Sequence, residues 1–376
     1  MKHKFISRFQ IKKLRSCLFA LFLGIGLLLY SKNVQKAIYQ SMDYCFKLLI
    51  PSLFPFIALT SYTIHSPVNT VIGKIFSPIT RRIFKLPSTC SSVIIMSLIG
   101  GYPSGAVGIS ALLSRREITE KQARRMLCFC INPGIAFVIT FLGGSVLQNP
   151  KTGIFLFFSI VLSSLLIGFF ISIAEKPPAE NTQTHSGSQK AALVNAAFDS
   201  SKVIMKMCAC MFIFAAIFSI LQSCGLLLYF ANYLHKLLSI SVSESFSLLF
   251  LLSEIAGGVQ NASVNSVLPA IYYAFALAFG GICVHMQILS FFEKFPMKIS
   301  VFIIFRVFHA LLASFIFSIF ARTSPDVQSV FISTAKSSYQ VHTFSTSAGG
   351  GFLLFLMCAA FLLISNKSDA RNICRI

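Results

Sequence analysis

GGYPSG at 100–105 and SEIAGGVQN at 253–261 interrupt two long apolar stretches with residues that a helix interior does not readily accept. Each is followed by a second interruption, INPG at 131–134 in the first half and FGG at 279–281 in the second. Backbone that leaves helical geometry at membrane depth is tolerated only where it is buried in protein or lines a cavity. Paired breaks in corresponding halves therefore point to a binding site at the bilayer midplane, the layout of a secondary transporter.

Composition places the chain in a bilayer. Of 376 residues 55% are apolar and only 11% charged, with a mean hydropathy of +0.78, whereas soluble domains carry about 25% charged residues. The runs 153–174 and 207–234 hold no charged residue, and about 20 residues suffice to cross the hydrocarbon. The formal charge of +21 calls for no nucleic acid partner. Lys2, Lys4, Arg8, Lys12, Lys13 and Arg15 precede the first apolar run, 17–30, and no small-x-small cleavage site follows, which predicts an uncleaved helix with its N-terminus inside. The eleven cysteines lie mostly in apolar runs, and the closest pairs, Cys128 with Cys130 and Cys208 with Cys210, lack zinc spacing and His partners. They are read as packing residues, and no metal or cofactor is expected. Trp is absent, so Tyr, Lys and Arg must form the interfacial belt.

Charge then sets the topology. Residues 1–32 form the signal-anchor helix, 33–174 a first repeat beginning with an amphipathic outer stretch, 175–202 a cytoplasmic linker, 203–320 a second repeat, and 321–376 an outer loop and a final helix at 349–364. Lys74, Arg81, Arg82 and Lys85 make 72–86 a basic helix of the inner interface. Arg115, Arg116, Lys121, Arg124 and Arg125 follow the apolar stretch 88–113, so both of its flanks are cytoplasmic and 100–105 is the tip of a re-entrant hairpin. A broken span (126–147) and an unbroken one (153–174) complete the half. The second half repeats this order with a span (207–221), an amphipathic stretch (226–240), a broken hairpin (246–268), a broken span (270–292) and an unbroken span (299–320). Three crossings per half invert the second repeat relative to the first. The fold expected is an all-α polytopic membrane protein with an inverted repeat, two re-entrant hairpins and broken helices.

The candidate substrate site follows the breaks. It comprises Gly100, Gly101, Tyr102, Pro103, Ser104 and Gly105, then Asn132, Pro133 and Gly134, then Glu254, Gly257, Gly258, Gln260 and Asn261, and finally Gly280, Gly281, His285 and Gln287. Half-helices restarting at 104–106 and near 261–263 would turn unpaired N–H groups toward the midplane and favour a carboxylate or other anion. The alternative is close helix packing through small residues. Glu254 is the one acidic residue deep in an apolar run, a candidate proton carrier or a polar anchor whose carboxyl bonds the free amides at its own break. His285 is a candidate contact to ligand or proton. Arg306 sits near the inner end of its span and reads as snorkelling.

At these residues the chain resembles the sporulation integral membrane proteins of the YlbJ family, also called SpoVV, which carry two nucleoside-recognition (Gate) domains. The likeness rests on SLFPF (52–56), GGYPSG followed by REITEKQARRML (116–127), FCINPG (129–134), LSEIAGG (252–258) and FGGICVHMQI (279–288). The family pattern has a second Asn where this chain has Ile131. The resemblance implies Gate-like repeats, a fold similar to concentrative nucleoside transporters, and export of dipicolinic acid from the mother cell across the outer forespore membrane. Expected partners are the bilayer, a small anionic solute, a coupling proton or sodium ion, and further copies of the chain. The alternatives are a nucleoside or other small-solute symporter of the same fold and a non-transporting spore-envelope scaffold. No HExxH, GxSxG or paired intramembrane aspartates suggest an enzyme.

Overall fold

A basic, capped loop and a set of broken helices define the architecture. The computed structural model describes residues 8–178, 189–265, 268–293, 295, 298–324 and 327. The expected final helix at 349–364 and residues 179–188 of the polar linker lie outside the described residues, whereas 189–202, expected as linker, form the first turns of a long helix. In chain order the helices are α1 (Arg8–Leu29), α2 (Ser31–Tyr44), α3 (Ile50–His65), α4 (Val68–Arg82), α5 (Cys90–Ile99), α6 (Tyr102–Ser114), α7 (Glu120–Phe129) and α8 (Pro150–Phe170). There follow α9 (Gln189–Ser223), α10 (Leu226–Leu238), α11 (Val242–Ser253), α12 (Ile255–Asn265), α13 (Ala270–Phe279), α14 (Gly281–Ser290) and α15 (Ile299–Arg322). Cys45–Leu49 and Ala136–Val146 are π-helical. Among the described residues four helical stretches are long and apolar enough to cross a membrane, and up to six if each of two sharply bent pairs is one span. The molecule is thus an all-α polytopic membrane protein.

Local rules account for the ends. Thr119 and Gln122 form a capping box that opens α7, and Ser241 and Glu244 form another that opens α11. Asn149 accepts from the Thr152 N–H at 3.1 Å, ahead of Pro150 in the first turn of α8. The break expected within 126–147 is present. Pro133 has no N–H to donate, and α7 ends at Phe129 before the π-helical stretch begins.

α5 folds back on α6 and α11 on α12, α3 packs on α9, and α8 packs on α15. Small residues permit these approaches. A Cβ on Gly258 would lie 2.4 Å from the Leu251 Cα, and one on Gly143 would lie 2.6 Å from the Gly153 Cα. The outer faces of α8 and α15 expose Phe158, Phe170, Ile304 and Phe315, as a lipid-facing surface requires.

The ends of α3, α4, α6 and α8 gather on one side. Arg115 donates to the Ile64 carbonyl at 3.1 Å, and Arg125 donates to the Phe84 carbonyl and to Ser172 Oγ. Lys121 donates to Glu175 at 2.9 Å and holds that carboxyl below the usual carboxylate range. α9 serves as a ruler through the molecule. Near this basic side Asp199 accepts from Ser61 at 3.2 Å, and at the helix's far end Ser223 accepts from Asn33 at 2.9 Å. At 1.5 Å per residue the two contacts are about 36 Å apart along α9, the thickness of a bilayer core plus part of its interface.

Candidate functional site

All four breaks meet in the interior. Gly101 has a positive φ of 91°, open to glycine at little cost, and its missing side chain lets the hairpin tip rest on the Gly134 amide, 3.0 Å from where a Cβ would stand. Gly280 and Gly281 also have positive φ, 96° and 68°. A Cβ on Gly281 would lie 3.4 Å from the Leu252 carbonyl, and one on Gly280 would face Tyr102, His285 and Arg306. The FGG break therefore lies between the tips of the two hairpins. Tyr102 Oη donates to the Leu277 carbonyl at 2.6 Å, tying the first hairpin to α13.

Arg306 holds this junction. It is fully buried, not snorkelling, which corrects the reading of it as a surface-seeking cation. Nε donates to the Phe279 carbonyl at 3.0 Å, Nη1 to the Ile131 carbonyl at 2.8 Å, and Nη2 to the Ala278 carbonyl. Breaking α13 at Gly280 and the 126–147 segment at 130–134 frees carbonyls that neither helix can satisfy. They are also the negative ends of two half-helix dipoles, so one guanidinium answers both needs. His285 Nε2 shares the Phe279 carbonyl at 2.7 Å, with Phe279 and Phe302 edge-on at 4.6 and 5.3 Å. Gln287 donates to Cys283 Sγ within α14 at 3.3 Å. Asn132 is buried and donates to the Phe129 carbonyl and to Ser164 Oγ.

The second hairpin breaks at Glu254, not near Asn261. Glu254 is extended (φ −143°, ψ 112°), and α12 restarts at the next residue. Gly257, Gly258, Gln260 and Asn261 are thus within α12. Glu254 Oε1 accepts from the Ala256 N–H at 2.9 Å and Oε2 from the Gly257 N–H, so the chain's own carboxyl occupies the helix N-terminus expected to receive an outside anion. In the first hairpin α6 opens on Tyr102 and Pro103, and the Ser104 N–H is spent on the Gly101 carbonyl at 3.0 Å.

A cavity of about 720 Å³ stands on Glu254. Its walls are α2 (Asn33, Lys36, Ala37, Gln40, Ser41, Tyr44), α9 (Met211, Ala215, Phe218, Ser219, Gln222, Ser223) and the second hairpin (Phe250, Glu254, Gly257, Gln260, Asn261). On the α9 ruler it runs from Ser223 down to Met211, about 18 Å, and so ends near mid-depth on the side away from the basic loop. Phe218 and Phe250 stack with centroids 4.1 Å apart. Asn261 Oδ1 is shielded from solvent with no hydrogen-bond partner among the described residues. The structure therefore divides the predicted site. Glu254, Gly257, Gln260 and Asn261 line the cavity, whereas Gly101, Tyr102, Gly134, Gly280, His285 and Gly281 build the junction beside it.

The fold and cavity define a multi-pass α-helical membrane protein with a half-open polar cavity. Over 159 residues the chain is 25% identical to sporulation integral membrane protein YlbJ of Bacillus subtilis (strain 168), a match covering 42% of this chain and 39% of that protein. The likeness thus spans well under half of that relative and supports kinship with a sporulation membrane protein. No family model matches the chain, and no solved structure matches it.

Proposed function

We propose that this chain is a secondary-type transporter of a small, planar, acidic solute, dipicolinate being the leading substrate, exported from the mother cell across the outer forespore membrane. The observation that carries this reading is the polar cavity that ends near mid-depth on the second hairpin. Its aromatic wall offers ring faces, and its amide and hydroxyl groups can pair with carboxylates. The sporulation relative adds support from outside the site. Direct uptake of labelled dipicolinate into vesicles containing only this protein tests the proposal; no uptake above protein-free vesicles sinks it.

We read the architecture as an inverted repeat similar to concentrative nucleoside transporters. α3, α4, the α5 and α6 hairpin, the broken 120–146 segment and α8 correspond in order to α9, α10, the α11 and α12 hairpin, the α13 and α14 pair and α15. In a Cys-free background a cysteine at exposed Arg116 should label from the cytoplasm and one at exposed Ser243, two residues before the buried Ser245, from outside. Labelling of both from one side rules the inversion out.

Coupling is assigned to a proton or sodium gradient, and Glu254 to the role of anchor, because both carboxyl oxygens already serve backbone amides. Glu254→Gln keeps one acceptor and loses the other, a cost of about 1–2 kcal/mol. The variant should show a lower melting temperature and keep its response to an imposed pH gradient. Loss of that response with intact binding would make Glu254 the proton carrier instead.

A further inference from the structure

Resting on the transporter reading, we infer that Lys36 of α2 is the cavity's anion-selecting contact. In one hairpin Glu254 caps the half-helix N-terminus, and in the other Pro103 carries no N–H, the Ser104 N–H goes to the Gly101 carbonyl, and no α6 residue lines the cavity. The positive charge that an acidic solute needs must then come from a side chain. Among the lining residues Lys36 is the one base and Glu254 the one acid. Glu254 is at the floor with both carboxyl oxygens bonded to the first turn of α12. Lys36 is exposed, with no ion-pair partner among the described residues, and lies two turns above Tyr44 on the same wall.

That geometry separates two ends of the chamber. A ring held against Phe218, Phe250 and Tyr44 leaves a carboxylate directed toward the mouth, where a flexible ammonium can reach it. Asn33, one turn above Lys36, bonds Ser223 across the mouth. α2 thereby joins a wall that the repeats alone would leave open. A neutral solute of the same shape can accept a hydrogen bond from Lys36, as it could from a Gln in its place, but gains no charge pairing.

The test uses the full chain, purified, with two probes: dipicolinate and its uncharged analogue pyridine-2,6-dicarboxamide. Binding is measured by calorimetry and flux in reconstituted vesicles. Lys36→Gln should weaken dipicolinate binding and raise its KM about tenfold, the effect of one charge-assisted hydrogen bond. The maximal rate and the handling of the diamide should stay unchanged. Lys36→Arg should restore the acid preference. Equal losses for both probes, or no loss for dipicolinate, overturn the inference. Wild-type protein that binds dipicolinate through Lys36 yet moves neither probe would refute transport while leaving the selectivity role in place.

Discussion

Arg306→Met is expected to lose the native state outright in most detergents. The side chain gives up three donors at once, to the carbonyls of Ile131, Ala278 and Phe279, and the replacement fits the space without offering one. The Phe279 carbonyl keeps His285, whereas those of Ile131 and Ala278 are stripped at about 1–3 kcal/mol each, a sum on the order of 2–6 kcal/mol. That is comparable to the whole stability of many domains. Arg306→Lys keeps the charge and one donor direction but not the planar fork that reaches two separate helix ends. The melting temperature and the monodisperse fraction on gel filtration should therefore rank wild type first, Lys second and Met last. A Met variant as stable as the Lys variant would mean that the freed carbonyls find other donors and that the clamp is dispensable.

The case of Arg306 also shows where sequence reading gave out. Its depth along an apolar run suggested a cation near an interface, and nothing in one dimension reveals that two helix C-termini from other parts of the chain end on it. The breaks themselves were legible, because Gly101, Pro133 and Gly280 each remove something a helix needs. Gly257 and Gly258 were legible as special, but for a different reason. They lie inside α12, where small size rather than backbone freedom is required, and the true break falls at Glu254, whose side chain satisfies its own helix start. α2 was legible as amphipathic, but its share in the wall of a chamber was not. Its polar stripe of Asn33, Lys36, Gln40 and Ser41 has helical spacing, as do Ala215, Ser219, Gln222 and Ser223 in an otherwise apolar span. Two such stripes facing each other are the signal of a chamber, and neither is informative alone.

Alanine at Gly105 is the second substitution expected to act strongly, since one methyl group must displace backbone rather than a side chain. The added Cβ would stand 1.8 Å from the Cys130 carbonyl oxygen and 3.1 Å from Ser97 Cβ. α6 must then back away from the 130–134 break, and the hairpin tip moves with it, taking Gly101 off Gly134 and Tyr102 off Leu277. Gly258→Ala acts by the same route in the other hairpin, against the Leu251 backbone at 2.4 Å. Overpacking of this kind costs about 1–3 kcal/mol, enough to disturb a junction in which four breaks share partners without preventing insertion. Gly24→Ala is the control, because nothing lies within 4 Å of its added Cβ. Melting temperature and dipicolinate flux should fall for both hairpin variants, flux at least tenfold by the standard of small displacements at a binding site, and neither should change for the control. If Gly105→Ala moves solute at the wild-type rate, the first hairpin is not held against the break as described, and the junction cannot set the shape of the neighbouring cavity.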